Sequence, residues 1–259
     1  MINVAVGGAS GKMGRTVCEM ILNSSDMRLT GAMVAPEESI ANKEIFPGVI
    51  AYTIENMEKA LKGADVYVDI TAPSAAAQII GRIPSMGVNM VIGTTSIPKD
   101  AVANMIKEVS GNGTSAVMSA NYAIGVNVFW KMCQMLAEAL DGYDIEVIET
   151  HHNQKKDAPS GTAMEAVRRI REVTGINDVI YGREGVPGAR GKEICVHSVR
   201  AGDVVGDHTV IFAGNKEIIE IKHKAISRDV FAGGFIKAIR WVYGKKDGAV
   251  HEMSEVLEL

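Results

Sequence analysis

Two histidines and two lysines fall within six residues at His151-His152-Asn153-Gln154-Lys155-Lys156, and the chain then runs through Asp157-Ala158-Pro159 into Ser160-Gly161-Thr162. The run follows a strand-like segment, Asp144–Glu149, and precedes a helix-period segment over about Thr162–Thr174. A Ser-Gly-Thr turn at a helix start offers hydroxyls and backbone N–H groups to an anion, and nearby cations suit a substrate carrying carboxylates. A lysine beside a desolvated anion can donate a proton, and a histidine titrates in the range that acid/base chemistry needs. His151, His152, Lys155 and Lys156 are therefore candidates for acid/base work or charge pairing with a substrate, and the Ser160, Gly161 and Thr162 turn is a candidate anion site. The plainer alternative is solvated surface charge, the reading adopted for Lys156. A metal site is not expected: adjacent histidine side chains diverge, no His-Glu-x-x-His or Cys-x-x-Cys occurs, and His197, His208, His223 and His251 are scattered.

A second constellation opens the chain. Gly8, Gly11 and Gly14 give Gly-x-x-Gly-x-x-Gly directly after the strand-like Ile2–Val6. A tight strand-to-helix turn needs a residue tolerant of positive φ, and the backbone must come close to a pyrophosphate that rests on the helix N-terminus. Glycines gather in many turns, but this triplet stands where a βαβ dinucleotide site requires it. Gly8, Ala9, Ser10, Gly11, Lys12 and Met13 are the cofactor-loop candidates, and the cofactor is NADH, NADPH or both. The second strand ends Ala35-Pro36-Glu37-Glu38 without an Arg for a 2′-phosphate; Glu37 is either a ribose contact or loop charge, with Lys12 and Lys43 the nearby cations.

The elements that must position these residues read as two blocks. Up to Asn121, short β-branched runs (Ile2–Val6, Leu29–Val34, Val66–Ile70, Val88–Ile92, Ala116–Met118) alternate with helical patterns at Met13–Leu22, Ile54–Lys62, Ala75–Ile83 and Pro98–Val109. Ser74 and Ser96 stand at expected N-caps. The pattern predicts an α/β fold, with an N-terminal Rossmann-like parallel-sheet domain over 1–121. After a helix at Val126–Leu140, the runs Glu193–Arg200, His208–Ala213 and Ile218–His223 follow one another without helices, predicting a second, mostly antiparallel α+β domain over 122–228. The last helix, Val230–Tyr243, could pack on either; residues 229–259 are assigned to return to the first domain.

The bulk properties bound the function. The 259 residues are 47% hydrophobic and 22% charged, with a net charge of −4, which offers no basic stripe for nucleic acid. Nothing approaches the roughly 18 uninterrupted apolar residues of a membrane span, no signal peptide is expected, and three widely spaced cysteines suit reduced thiols in the cytoplasm.

The loop from Glu149 to Ala163 is similar to the signature of the dihydrodipicolinate reductases, Glu-x-His-His-x-x-Lys-x-Asp-Ala-Pro-Ser-Gly-Thr-Ala, at every fixed position. The resemblance extends over essentially the whole chain: Gly8–Gly14; Asp69-Ile70-Thr71; Gly93, Thr94 and Thr95 with Ser119, Ala120, Asn121 and Tyr122, which resemble two stretches lining the nicotinamide; Ser198–Phe212; and His223 through Ser227-Arg228 and Phe231-Ala232. It implies reduction of 4-hydroxy-tetrahydrodipicolinate in lysine biosynthesis, with His151 as acid/base, Lys155 as proton donor, and carboxylate contacts at His152, Gly161 and Thr162. It also implies a substrate and oligomerisation domain whose sheet builds a homotetramer, and hinge closure near Asn121-Tyr122 and Ser227–Phe231. Ala35-Pro36 departs from the acid, or acid followed by Arg, common in that family, which leaves cofactor preference open. The competing readings are another Rossmann reductase, such as a homoserine or aspartate dehydrogenase, and a non-catalytic nucleotide sensor.

Overall fold

The computed structural model describes residues 1–227 and 229–259; the Arg228 of the expected hinge and late motif lies outside the described residues. The chain divides into two compact units, residues 1–123 with 231–258, and residues 124–230.

The first unit is built on strands β1 (Ile2–Gly7), β2 (Met27–Met33), β3 (Glu44–Phe46), β4 (Val49–Tyr52), β5 (Val66–Asp69), β6 (Asn89–Ile92), β7 (Ala116–Met118) and, after the second unit, β13 (Val250–His251). Their order is β13-β7-β6-β5-β1-β2-β4-β3, and every pair is parallel except β3 with β4. Helices α1 (Lys12–Leu22), α2 (Met57–Ala60), α3 (Pro73–Ile79) and α4 (Lys99–Asn112) connect them. Strand residues alternate between two cores. Val4, Val6, Val68 and Val91 join Val17, Cys18 and Ile21 of α1, whereas Ala5, Tyr67, Met90 and Ile92 join Ile80, Ile83 and Met105. Both faces are thus covered, as the near-continuous apolar strands require. Helix α7 (Asp229–Val242) and α8 (Met253–Val256) add Phe235, Ile239, Val242 and Val256 to the α1 core.

The expected N-caps shift. Helix α3 starts at Pro73 behind Ala72, and α4 starts at Lys99 behind Pro98, neither with a side-chain cap. Proline supplies the entry angle that the serines were expected to set; Ser96 instead takes a left-handed φ of 57° in the preceding bend. The Ile54–Lys62 pattern splits into a 3₁₀ turn, Ile54–Asn56, and the short α2.

The second unit carries α5 (Ile124–Ala139), β8 (Asp144–His151), α6 (Gly161–Thr174), β9 (Asp178–Ile180), β10 (Glu193–Arg200), β11 (Gly206–Gly214) and β12 (Glu217–Ala225). Its sheet order is β12-β11-β8-β10-β9. This sheet is mixed and not mostly antiparallel: β11 is antiparallel to both neighbours, but β8, β10 and β9 run parallel. The reason is α6, which carries the chain back as a crossover between β8 and the parallel strands. Alternation along β8 buries Ile145, Val147, Glu149 and His151 on one face and leaves Glu146, Ile148 and Thr150 half-buried on the other. Helix α6 is capped by the Ser160 side chain, which accepts from Ala163 N–H, and ends on Gly175 at φ 67°.

Asn89 fixes the return of the C-terminal segment to the first sheet. Its side-chain amide donates to the Val242 carbonyl at 2.7 Å and to the Lys245 carbonyl at 3.0 Å, while its Oδ1 accepts from Ser115 N–H at 2.9 Å. Asn89→Ala is expected to lower unfolding free energy by about 1–3 kcal/mol, the cost of buried polar groups left unsatisfied, read from the shift in a urea midpoint.

Candidate active site

The glycine loop of the first unit is set by close backbone approach. Gly8 has φ 77°, and a Cβ there would meet the Ile70 carbonyl oxygen at 2.2 Å; a Cβ on Gly14 would meet the Gly8 oxygen at 2.0 Å. Only glycine lets α1 pack this tightly on the strand end. Gly8 and Ala9 donate their N–H groups to Met33 O, and Gly11 donates to Gly8 O. Gly11 is the N-cap of α1 and no side chain caps the helix, so the first turn beginning at Lys12 and Met13 keeps its positive end for an outside anion. Beside the loop lies a cavity of about 510 Å³, lined by Gly8, Ser10, Gly11, Val34, Ala35 and Thr71 among others. A cradle that a Cβ would fill, opening on a chamber of this size, fits a dinucleotide.

The acid at the second strand's end is Glu38. It accepts from Ser10 Oγ at 2.8 Å and from Ala35 N–H at 3.1 Å, tying that strand to the phosphate loop, while Glu37 is exposed. Glu37, Glu38 and Glu55 all line the cavity, and no Lys or Arg does among the described residues.

The remaining first-unit candidates divide. Thr94 is buried and donates to Asp69, which also accepts from Tyr67 OH and the Thr71 hydroxyl, each at 2.9 Å. This cluster joins the ends of β5 and β6. Gly93 is covered by Phe235, which a Cβ would strike at 2.3 Å, and Thr95 is exposed. Ser119 Oγ donates to the Asn121 carbonyl, and Asn121 Oδ1 accepts from Ala123 N–H, so Ser119, Ala120 and Asn121 form one tight bend. Tyr122 points inward: it is buried, stacks on Phe235 at 3.9 Å, and its hydroxyl lies between the Ile92 and Val117 carbonyl oxygens.

In the second unit the cationic loop is organised by a residue that the sequence alone did not single out. Glu149 has no solvent exposure, and four donors converge on its carboxylate. Arg200 is bidentate at 2.8 Å to each oxygen, His151 Nδ1 lies 2.6 Å from Oε2, and Ser160 N–H donates to Oε1 at 3.1 Å. Arg200 Nη2 also donates to the Asp157 carbonyl at 2.6 Å, clamping the loop's far side. The near side is a turn in which Lys155 N–H donates to the His152 carbonyl. His152 and Lys155 are half-buried and Lys156 is exposed; Lys155 Nζ lies 2.9 Å from Asp157 Oδ1. A Cβ on Gly161 would meet nothing within 4 Å, leaving that backbone approachable. Thr162 follows in the first turn of α6, its carbonyl accepting from Trp130.

The electrostatics follow from these contacts. Burial alone would raise the Glu149 carboxyl, but the hydrogen bonds from Arg200 and His151 outweigh it and hold the group down to about 2. Burial pushes His151 below its ordinary value against the opposing pull of Glu149, with the Lys155 and Arg200 cations adding to the depression. His208, on β11 across from Glu149, shares a 3.0 Å hydrogen bond with Ser160 Oγ and meets the His151 ring edge-on at 5.1 Å. Burial, then the neighbouring His151, push it down to about 3. Both shifts favour the neutral ring.

Among the described residues, Glu146, Cys195 and His197 are the one trio with metal-ligand atoms within 4.8 Å of one another. Glu146 already accepts from Arg183, Arg190 and His197, and two guanidiniums beside it oppose a cation. The segment from Arg183 to Arg190 is thereby pinned to the sheet. Cys18, Cys133 and Cys195 are free and buried; burial pushes the Cys18 and Cys133 thiols up to about 12. No helix among the described residues is long and apolar enough to cross a membrane.

A parallel sheet with a glycine loop at its first strand, joined to a second sheet whose strand end carries cations and a helix start, defines a two-domain nicotinamide-dependent oxidoreductase. The chain belongs to the dihydrodipicolinate reductase family: the model of that family's N-terminus matches residues 2–122 and that of its C-terminus residues 125–257. It is 46% identical over 268 residues to the 4-hydroxy-tetrahydrodipicolinate reductase of Methanosarcina barkeri, covering all of both chains. It is 43% identical over 270 residues to the enzyme of that name from Methanocaldococcus jannaschii, covering 100% of this chain and 98% of the other. A dipicolinate-bound dihydrodipicolinate reductase from Paenisporosarcina sp. TG-14 superposes with a TM-score of 0.83 at 27% identity, over 98% of each chain. An aspartate dehydrogenase from Thermotoga maritima shares the fold alone, with a TM-score of 0.52 at 12% identity over 93% of this chain and 96% of that one.

His208 must take a proton into a buried site if the unit is to survive acid. Its folded pKa is depressed from 6.5 to about 3, so the stability it contributes is full above pH 6.5 and is lost as pH falls toward 3. His208→Gln is expected to flatten the fall of the melting temperature across that window, checked by thermal unfolding at graded pH.

Proposed function

We propose that the chain reduces 4-hydroxy-tetrahydrodipicolinate to tetrahydrodipicolinate and water, with NADH or NADPH at the glycine loop and the dicarboxylate at the His151–Thr162 loop. The observation that carries the reading is that loop. One buried carboxylate fixes His151 and the start of α6, and Lys155 sits half-buried on the turn between them. The ring diacid named with the Paenisporosarcina relative is the kind of ligand these cations suit.

Loss of the ring hydroxyl as water gives a conjugated imine, and a hydride plus one proton then saturate its carbon–carbon double bond and leave the ring imine in place. Bound at the glycine loop, a reduced nicotinamide supplies the hydride. The chain's own residues hold the ring and deliver the proton. His152 and the Gly161 and Thr162 backbone hold the carboxylates, which orients the ring before reaction. Ser160, expected among these contacts, is buried with its N–H on Glu149 and its hydroxyl on His208 and Ala163 N–H, and positions the turn instead. The enamine left after hydride addition takes its proton at carbon from the Lys155 ammonium. The bridge to Asp157 that holds this group is weak, because the Asp157 side chain is 61% exposed. His151, whose burial favours the neutral ring, stands beside it to hold or relay charge. We further place the enzyme in the cytoplasm, a reading supported by its three free, buried cysteines, and assemble it as a homotetramer, supported by the face of the second sheet not covered by helices, where Ile148 and Ile211 are half-buried and Ile218 is 65% exposed.

The carboxylates lining the cavity beside the glycine loop suit a ribose diol and repel a 2′-phosphate. NADH should bind at least about tenfold more tightly than NADPH, a difference of about 1.4 kcal/mol. Glu38→Arg should narrow or reverse the ratio, measured by nicotinamide fluorescence without turnover.

The activity itself is tested by supplying the condensation product of pyruvate and aspartate semialdehyde and following loss of reduced-nicotinamide absorbance. Turnover of aspartate or homoserine, with none of the cyclic product, would overturn the reading. Lys155→Ala should lower kcat by about 10²–10⁴, the scale of a lost acid/base group, while cofactor affinity stays unchanged.

A further inference from the structure

We propose that Glu149 and Arg200 are positioning residues for His151: the Glu149 carboxylate, paired with the Arg200 guanidinium, fixes the ring as its Nδ1–H tautomer and presents Nε2 as a lone pair over Gly206. The inference rests on the reading of His151 as a group that faces the substrate, and it assigns that group a direction: an acceptor.

The tautomer follows from the donor inventory around Glu149. An ionised carboxylate only accepts hydrogen bonds. Arg200 fills one site on each oxygen and Ser160 N–H a second on Oε1, so the group 2.6 Å from Oε2, His151 Nδ1, must carry a hydrogen. A neutral imidazole with a proton on Nδ1 has none on Nε2. The bidentate guanidinium keeps the carboxylate ionised at complete burial, which a lone buried acid would resist.

The other ring edge is kept open by a glycine. A Cβ on Gly206 would stand 3.1 Å from His151 Nε2 and 3.7 Å from His208 Cε1. Gly206 opens β11 and has no left-handed φ, so its backbone places no demand for glycine. What the missing side chain gives is room at Nε2. The groups that face His151 are Glu149 on its own strand, Arg200 on β10, His208 on β11 and Lys155 on the loop. Lys155 is then the donor of the pair and His151 the acceptor, a division that adjacent residues in sequence could not reveal.

The test uses full-length protein labelled with ¹⁵N in its histidine rings, with the His151 signals assigned from their loss in His151→Asn. At pH 8 the expected spectrum shows His151 neutral and protonated on Nδ1; protonation on Nε2 would overturn the assignment even if the Glu149 and Arg200 variants misfold. The acid limb of the kcat/KM profile supplies the second readout. Glu149→Gln removes a negative neighbour and should move that limb down by about one pH unit, whereas Arg200→Met removes a positive one and should move it up. A structural role would shift neither, or both the same way, and either result sinks the proposal. Arg200→Lys should keep the limb near its native position. Gly206→Ala should leave the tautomer unchanged and lower kcat/KM at least about tenfold, a loss of about 1.4 kcal/mol in transition-state stabilisation. Full turnover by His151→Asn, with the Nδ1–H spectrum intact in the native protein, would instead overturn the functional reading of His151 and leave the tautomer assignment standing.

Discussion

A carboxylate without contact with water survives in the second unit because Arg200, His151 and Ser160 bring hydrogens to it from three directions. Remove any one and a buried charge is left short of a partner, a cost of several kcal/mol. That constraint ties together β8, β10, the loop after β8 and the first residue before α6. The turn carrying His152 and Lys155 hangs between these anchors, with its far side held through the Asp157 carbonyl. The placement of the cations is therefore a consequence of one buried acid.

The first unit uses a related device. Asp69, also fully buried, gathers the Tyr67, Thr71 and Thr94 hydroxyls at the ends of adjacent strands. Directly beside it, the Ile70 carbonyl is the atom that a side chain on Gly8 would strike. Rigid strand ends and a glycine turn thus share one wall of the cavity beside the loop. In both units a buried carboxylate at a strand's end converts a loop, ordinarily the more mobile part of a fold, into a fixed surface.

Much of this was legible in the residues. The glycine triplet after an apolar strand marked the tight strand-to-helix turn, because few other residues tolerate φ 77° against a carbonyl. The parallel sheet was legible because strands buried on both faces are apolar throughout, and the segments at β1, β5 and β7 fall within a residue of their predicted bounds. Short, weakly patterned elements escaped: β3, β4, β9 and β13 have two to four residues each, too few for a period to show. Glu37 drew attention where Glu38 is the acid tied to Ser10, since one residue of loop path decides which carboxylate turns inward.

By itself the sequence determined the local pattern: a glycine turn after the first strand, a run of His, Lys and Ser-Gly-Thr between a strand and a helix, and the α/β alternation that carries them. Those features depend on residues within one or two turns of each other, so spacing alone reports them. Only the tertiary structure decided that Glu149 meets Arg200, 51 positions away, and that Ser160 meets His208, 48 positions away. Such meetings rest on strand register, where a slip of one residue would send Glu149 and His151 to the opposite face of the sheet. The order of β8, β10 and β11 set that register, and with it which nitrogen of His151 is left to face outward.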